Sequence, residues 1–209
     1  MRGQPAATTG RESEGELVFL LRPPSAERVR DFIEQQRSLA FTYAQVGATL
    51  TKPPLGYRVD HNRIQLGTGK ETYLCAIEAL KRWKQFDLGW VRIANSEVVL
   101  QQDAVVAVEV KACGLWSLNA ARVVYLVDDS RDTNARFGFA YGTLPGHAEE
   151  GEERFIVEWL ADDSVWYDIF AFSRPRHPLA RLTRPIVRSL QKRFAKDSLA
   201  AMKRAVGYY

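Results

Sequence analysis

The chain has 209 residues, 46% of them hydrophobic, enough for one sizeable core, and no apolar run reaches the roughly 18 residues that a membrane-spanning helix requires. The net charge of +4 is modest and local: ten basic residues and one acid, Asp197, give the stretch from Arg174 to Arg204 a charge of +9 and leave −5 for the rest. Two cysteines, Cys75 and Cys113, stand in no CxxC or metal spacing, which points to a reducing, cytoplasmic compartment and to two small core residues.

Residues 1–15 are small and polar and read as a disordered tail with no secretory signal. Residues 16–40 read as a strand–helix extension. Glu16–Leu21 is a short apolar run stopped by Pro23-Pro24, and Ser25 is placed to cap a helix running to about Leu39, with Val29, Phe32 and Ile33 at helical spacing. Residues 41–209 form the main domain. Phe41–Tyr57, broken by Gly47, Pro53, Pro54 and Gly56, reads as irregular chain with one short extended piece. A strand follows at Tyr57–Leu66, ended by Gly67-Thr68-Gly69. A helix over Lys70–Gln85 then presents Tyr73, Ile77, Leu80 and Trp83 as one stripe, with Ala76 close behind it.

After Gly89 the pattern is of strands: Trp90–Ile93, Ala104–Ala112, Leu118–Val127, then a turn at Asp128–Asp132, and Arg136–Thr143, Glu153–Leu160 and Val165–Phe172. The loop Leu144–Glu152 joins the first two of the last three. A basic helix is expected over Pro178–Val206, with His177 leading it and Pro185 kinking it or marking its true start. Its Ile186, Leu190 and Phe194 recur at spacing four, continued by Ala201, Met202 and Ala205. Short turns between consecutive strands argue an antiparallel meander. The predicted class is therefore α+β: an antiparallel sheet of about six to seven strands wrapped on a long C-terminal helix, the helix-grip arrangement. A closed β-barrel with external helices is the alternative.

Several stretches resemble the "domain of unknown function 1990" family. They are Gly56-Tyr57, Leu66-Gly67-Thr68-Gly69, Ala79-Leu80 with Trp83, and Gly89-Trp90 in the first half. In the second half they are Phe137–His147, Gly151-Glu152-Glu153 with Phe155, Val165-Trp166-Tyr167, Gln191 with Arg193-Phe194, and Ala201-Met202. The resemblance covers roughly Phe41 to Val206. It implies a compact domain associated with helix-grip proteins of the START/Bet v and polyketide-cyclase kind, and it supplies no activity and no catalytic residue.

Familiar chemical motifs are absent. Gly67-Thr68-Gly69-Lys70 lacks the P-loop spacing and its following hydroxyl, since residue 71 is Glu, and position 72 is Thr, so GxGxxG fails as well. His61, His147 and His177 have no partner at metal spacing, and the acids around His147 read as a solvated loop, so no metal and no cofactor is assigned. There is no GxSxG, RNP, KH or zinc-finger pattern. The basic helix reads as a solvated face that pairs with acids elsewhere, with no nucleic-acid partner and no stable membrane insertion; oligomeric state is left open.

Strand alternation points to a site. On Glu152–Leu160 the set Glu153, Phe155, Val157 and Trp159 is the core face, and Glu152, Arg154, Ile156, Glu158 and Leu160 is assigned to solvent. On the preceding strand Phe137, Phe139, Tyr141 and Thr143 are bulky and Gly138, Ala140 and Gly142 small. Pairing bulky with bulky puts Tyr141 beside Glu153 at the rim of an apolar face. The expectation is a small, largely apolar ligand between the sheet and the last helix, lined by Tyr141, Glu153, Phe139, Trp159, Asp168 and Phe194. Rival readings are an enzyme using Glu153, Asp168 or Tyr141 as acid or base in the same cavity, and a nucleic-acid or anionic-membrane binder using the basic helix.

Overall fold

A computed structural model describes residues 18–129, 134–176 and 184–207. Strand β1 (Val18–Leu20) leads into helix α1 (Ala26–Gln36). Ser25 caps α1 by accepting the Arg28 N–H at 3.2 Å. At the other end the Arg122 guanidinium donates to the carbonyls of Gln36, Arg37 and Leu39, so α1 stops short of the predicted Leu39 with its last acceptors satisfied from the sheet. Ser25→Ala should destabilise the protein by about 1 kcal/mol in urea unfolding, and a loss below a few tenths would show the cap to be idle.

Strand β2 (Arg58–Thr68) runs through a bulge between Gln65 and Gly67, two residues past the predicted end. Gly69, at φ 84°, turns directly into helix α2 (Gly69–Lys81), a conformation that glycine adopts without strain. The helix ends before the predicted Gln85 because Trp83 adopts a left-handed conformation (φ 56°) and a 3-10 turn, Lys84–Phe86, follows. That turn buries Phe86 against Phe155 and Phe194. Strands β3 (Val91–Ile93), β4 (Val105–Ala112), β5 (Leu115–Asp129), β6 (Ala135–Thr143), β7 (Glu149–Trp159) and β8 (Ser164–Pro175) follow. Helix α3 (Arg184–Val206) closes the described chain, with Pro185 in its first turn. The expected tail and first residues of the first strand (1–17), Ser130–Asp132 of the expected turn, and residues 177–183 at the start of the expected basic helix, His177 and Pro178 among them, lie outside the described residues.

The strands form one antiparallel sheet ordered β2-β8-β7-β6-β5-β4-β3, with β1 added on β5 beyond the end of β6. Its end strands, β2 and β3, do not pair with each other, so the sheet is curled but open and the closed-barrel alternative is set aside. Helix α3 packs against α2, the 3-10 turn, β2 and β8. Its anchors are the Tyr167–Ser198 hydroxyl pair at 3.1 Å and Trp90, which donates to Asp197 Oδ2 at 2.9 Å. This is the helix-grip arrangement.

The core fills the concave side with Leu80, Trp83, Phe86, Val106, Phe139, Phe155, Val157, Tyr167 and Met202. Two further clusters occupy the other side. Val29 and Phe32 of α1 pack on Val105, Ala107, Leu118 and Leu144, and Tyr43 and Ala48 pack on Phe172. The convex face also buries charged groups. Glu109 is buried and held by both ends of the Arg92 fork at 2.9 Å. Glu152 and Ile156, assigned to solvent, are also buried; the chain from Tyr43 to Thr49 folds over Glu152. That chain holds a 3-10 turn, Ala48–Leu50, rather than an extended piece. Gly142 makes the approach possible, since a Cβ there would overlap the Tyr43 hydroxyl. The cysteines differ from expectation as well: Cys75 is half-buried on α2 and Cys113 is exposed between β4 and β5, both as free thiols.

Candidate functional site

Where α3 crosses the concave face the packing is incomplete. A cavity of about 510 Å³ remains, within the range of about 300–1,000 Å³ typical of small-molecule sites. Its apolar wall includes Phe86, Trp90, Val108, Val110, Leu190 and Phe194. Alternation along the strands sets its polar end: Asp60 and Asn62 from β2, Tyr141 from β6, Glu149 and Glu153 from β7 and Ser173 from β8 all reach the same space.

The β6–β7 register places Tyr141 directly opposite Glu153, and the Tyr141 hydroxyl donates to Glu153 Oε2 at 2.8 Å. Burial pushes the Glu153 carboxyl up to about 7; the Tyr141 hydrogen bond works against that shift, and the nearby charges of Glu149 and Asp60 add to it. Burial, then the Glu153 charge, raises Tyr141 well above the ordinary phenol range. Burial also raises Glu149, although Gln191 donates to both its oxygens, at 2.8 and 2.7 Å, and favours the charged form. Asp60 is clamped by Arg188 at 2.5 and 2.6 Å, a bidentate pair that fixes α3 to the edge strand.

His147 sits in the β6–β7 turn and lines the same cavity. Its Nδ1 accepts the Glu149 N–H at 3.1 Å, which places the ring proton of the neutral imidazole on Nε2. Burial holds its pKa down at about 4. The site therefore offers a neutral donor, a phenol and a carboxyl that titrates near neutrality, set against an apolar wall.

Of the six residues expected in the site, Tyr141, Glu153 and Phe194 line the cavity. The other three do not. Phe139 is fully buried between Trp83 and Phe155. Trp159 stacks on Tyr73 and donates to Asp163 at the far end of β7. Asp168 pairs with Ile156 and so lies on the convex face, where Arg154 and His61 hold it at 3.0 and 2.5 Å. It is withdrawn as an acid or base for this cavity. The acids around His147 are divided by the strand as well. Glu149 and Glu153 enter the cavity, while Glu152 turns to the convex face. Among the described residues no group of three His, Cys, Asp or Glu could hold a metal ion, and no helix is long and apolar enough to cross a membrane.

Asp60, His147, Glu149, Arg188 and Gln191 were not anticipated. Asp60 and Arg188 meet across 128 positions and Glu149 and Gln191 across 42, so no local spacing announces them. The β2 alternation Asp60, Asn62, Ile64 was the one available signal.

The sequence model of a family described as "Domain of unknown function (DUF1990)" matches residues 42–201. A UPF0548 protein of Dictyostelium discoideum is 36% identical over 208 residues, covering 91% of this chain and 96% of its own. One from Deinococcus radiodurans is 36% identical over 202 residues, covering 91% and 100%. Among solved structures, Ara h 8.0201 is similar at a TM-score of 0.47 and 11% identity, over 72% of this chain and 98% of its own. Human STARD10 is similar at 0.46 and 12%, over 90% and 82%. Neither likeness carries a ligand or a role to this chain.

Proposed function

The chain belongs to the DUF1990 family, and for it we propose the binding of a small, largely apolar molecule between the sheet and α3. The observation that carries this reading is the cavity of about 510 Å³ with aromatic and aliphatic walls and a few polar groups gathered at one end. The ligand's apolar body lies against Phe86, Trp90, Val108 and Phe194. One oxygen or nitrogen of the ligand meets the Tyr141–Glu153 pair or the His147 Nε2–H.

Native mass spectrometry of the protein purified from its host should show a retained small molecule. The neutral dye Nile red should bind with enhanced fluorescence, and Ala171→Trp, which fills the cavity beside Glu153, should weaken it at least tenfold while the fold persists by circular dichroism. A folded protein that carries no ligand and takes up no dye would overturn the reading.

A second reading is favoured by one observation. Glu153, near 7 and hydrogen-bonded to Tyr141, has the properties of a general acid or base acting on a substrate in the same cavity. Glu153→Gln would then abolish turnover and leave ligand affinity within a few fold.

A further inference from the structure

A shallower space lies beside the cavity. Formed between the edge strand β2 and the outer side of α3, it is lined by Asn62, Ile64, Lys192, Lys196, Leu199, Ala200, Lys203 and Arg204. Asn62 and Lys192 line both spaces, so the two adjoin along the β2–α3 seam. The seam changes character along its length. At one end Arg188 is neutralised by Asp60. Beyond Asn62 the floor becomes Ile64 and Leu199, and the rim carries four cations.

Lys192, Lys196, Lys203 and Arg204 have no acidic partner among the described residues, whereas Arg188 and Arg193 of the same helix are paired with Asp60 and Asp197. Lys192, Lys196 and Lys203 are all exposed. A run of unpaired cations around an apolar floor, next to an apolar cavity, presents a positive field along the β2–α3 seam. Lysine suits this role because its ammonium is a mobile point charge on a long apolar stem.

We propose that the ligand is an anionic amphiphile: its apolar chain occupies the cavity, and its carboxylate or phosphate head lies in the groove between Lys192, Lys196, Lys203 and Arg204. This rests on the cavity reading above and adds the chemical class of the ligand. The ligand is held as a soluble one-to-one complex, so the cations serve a head group and not a membrane surface.

Two probes with the same palmitoyl tail separate the terms: lysophosphatidate, with an anionic head, and lysophosphatidylcholine, with a zwitterionic one. Binding below their micellar concentrations is read by the change in tryptophan fluorescence, since Trp90 and Trp116 line the cavity. The wild-type protein should prefer lysophosphatidate by at least tenfold at low salt, and the preference should shrink as salt rises. The triple variant Lys196→Glu, Lys203→Glu, Arg204→Glu alters only exposed side chains that line the groove and not the cavity. It should lose that preference and keep its affinity for lysophosphatidylcholine within about twofold. Equal affinities in wild type, or a preference that survives the triple variant, would overturn the head-group assignment and leave the cavity reading standing. Failure of both probes to bind a folded wild type that still takes up Nile red would overturn the amphiphile assignment and leave the cavity reading standing; failure of Nile red as well would overturn both. Inorganic phosphate binding as tightly as lysophosphatidate would show an anion site without a tail. Cosedimentation of the wild type with phosphatidylserine vesicles, lost in the triple variant and unaffected by Ala171→Trp, would show a membrane contact instead; either result overturns the proposal.

Discussion

Glu152→Ala should cost about 3–5 kcal/mol of stability, a loss at the upper end for single substitutions. Its carboxylate is buried on the convex face of β7 and collects four donors from one short stretch of chain. The Tyr43 hydroxyl and the Gly47 N–H each lie 2.7 Å from Oε2; the Thr49 N–H lies 3.0 Å from Oε1, and the Thr49 hydroxyl meets the same oxygen. Arg154 completes the anchorage by donating to the Thr49 carbonyl at 2.8 Å. Removing the carboxylate leaves several buried donors unpaired and releases the segment that covers Phe172. Glu152→Gln keeps the volume and one acceptor, so it should lose only about half as much. Urea unfolding gives both values, and hydrogen exchange should show the extra opening confined to residues 43–50. A loss under 1 kcal/mol for Glu152→Ala would show that these bonds merely exchange for water.

The same residue shows where sequence reading stopped. Alternation along β7 separates Glu153, Phe155 and Val157 from Glu152, Arg154 and Ile156, and the structure keeps that division. The chemistry of pairing bulky residues across β6 and β7 was enough to set Tyr141 opposite Glu153. What alternation does not carry is the identity of whatever covers each face. The cover over Glu152 is residues 43–50, an irregular stretch with no period of its own, so charge alone suggested solvent. Asp168 lies outside the cavity because the same alternation divides β8. Tyr167, Ile169 and Ala171 point to the concave side, and Asp168 falls between them. The stripe on α3 was legible because Leu190 and Phe194 repeat at helical spacing. The void beneath it depends on how far each side chain reaches, and a sequence pattern holds no such measure.

The stability of the wild-type protein should be nearly independent of the Glu153 and His147 titrations between pH 4.5 and 6.5, because the two groups oppose one another. Burial lifts Glu153 from 4.5 to about 7. In that interval the folded protein holds a proton that the unfolded chain has released, so raising the pH through it costs stability. Burial lowers His147 from 6.5 to about 4. In that interval the unfolded chain holds the proton and the folded one does not, so raising the pH gains stability. Each shift corresponds to up to about 3 kcal/mol. Glu153→Gln removes the first slope and still offers Tyr141 an acceptor. Relative to wild type it should be unchanged below pH 4.5 and more stable by up to about 3 kcal/mol above pH 7, with the His147 slope exposed between. His147→Asn should show the reverse, a stability that falls as pH rises from 4.5 to 7. Glu149, Asp60 and Arg188 lie around the same space, and comparing each variant with wild type at the same pH leaves only their coupling to the substituted group in the difference. Urea midpoints at half-unit steps from pH 4 to 8 measure both differences. If the Glu153→Gln difference is flat across that range, Glu153 is ionised at its ordinary pKa, and the desolvated polar end on which acid–base chemistry in this cavity depends does not exist.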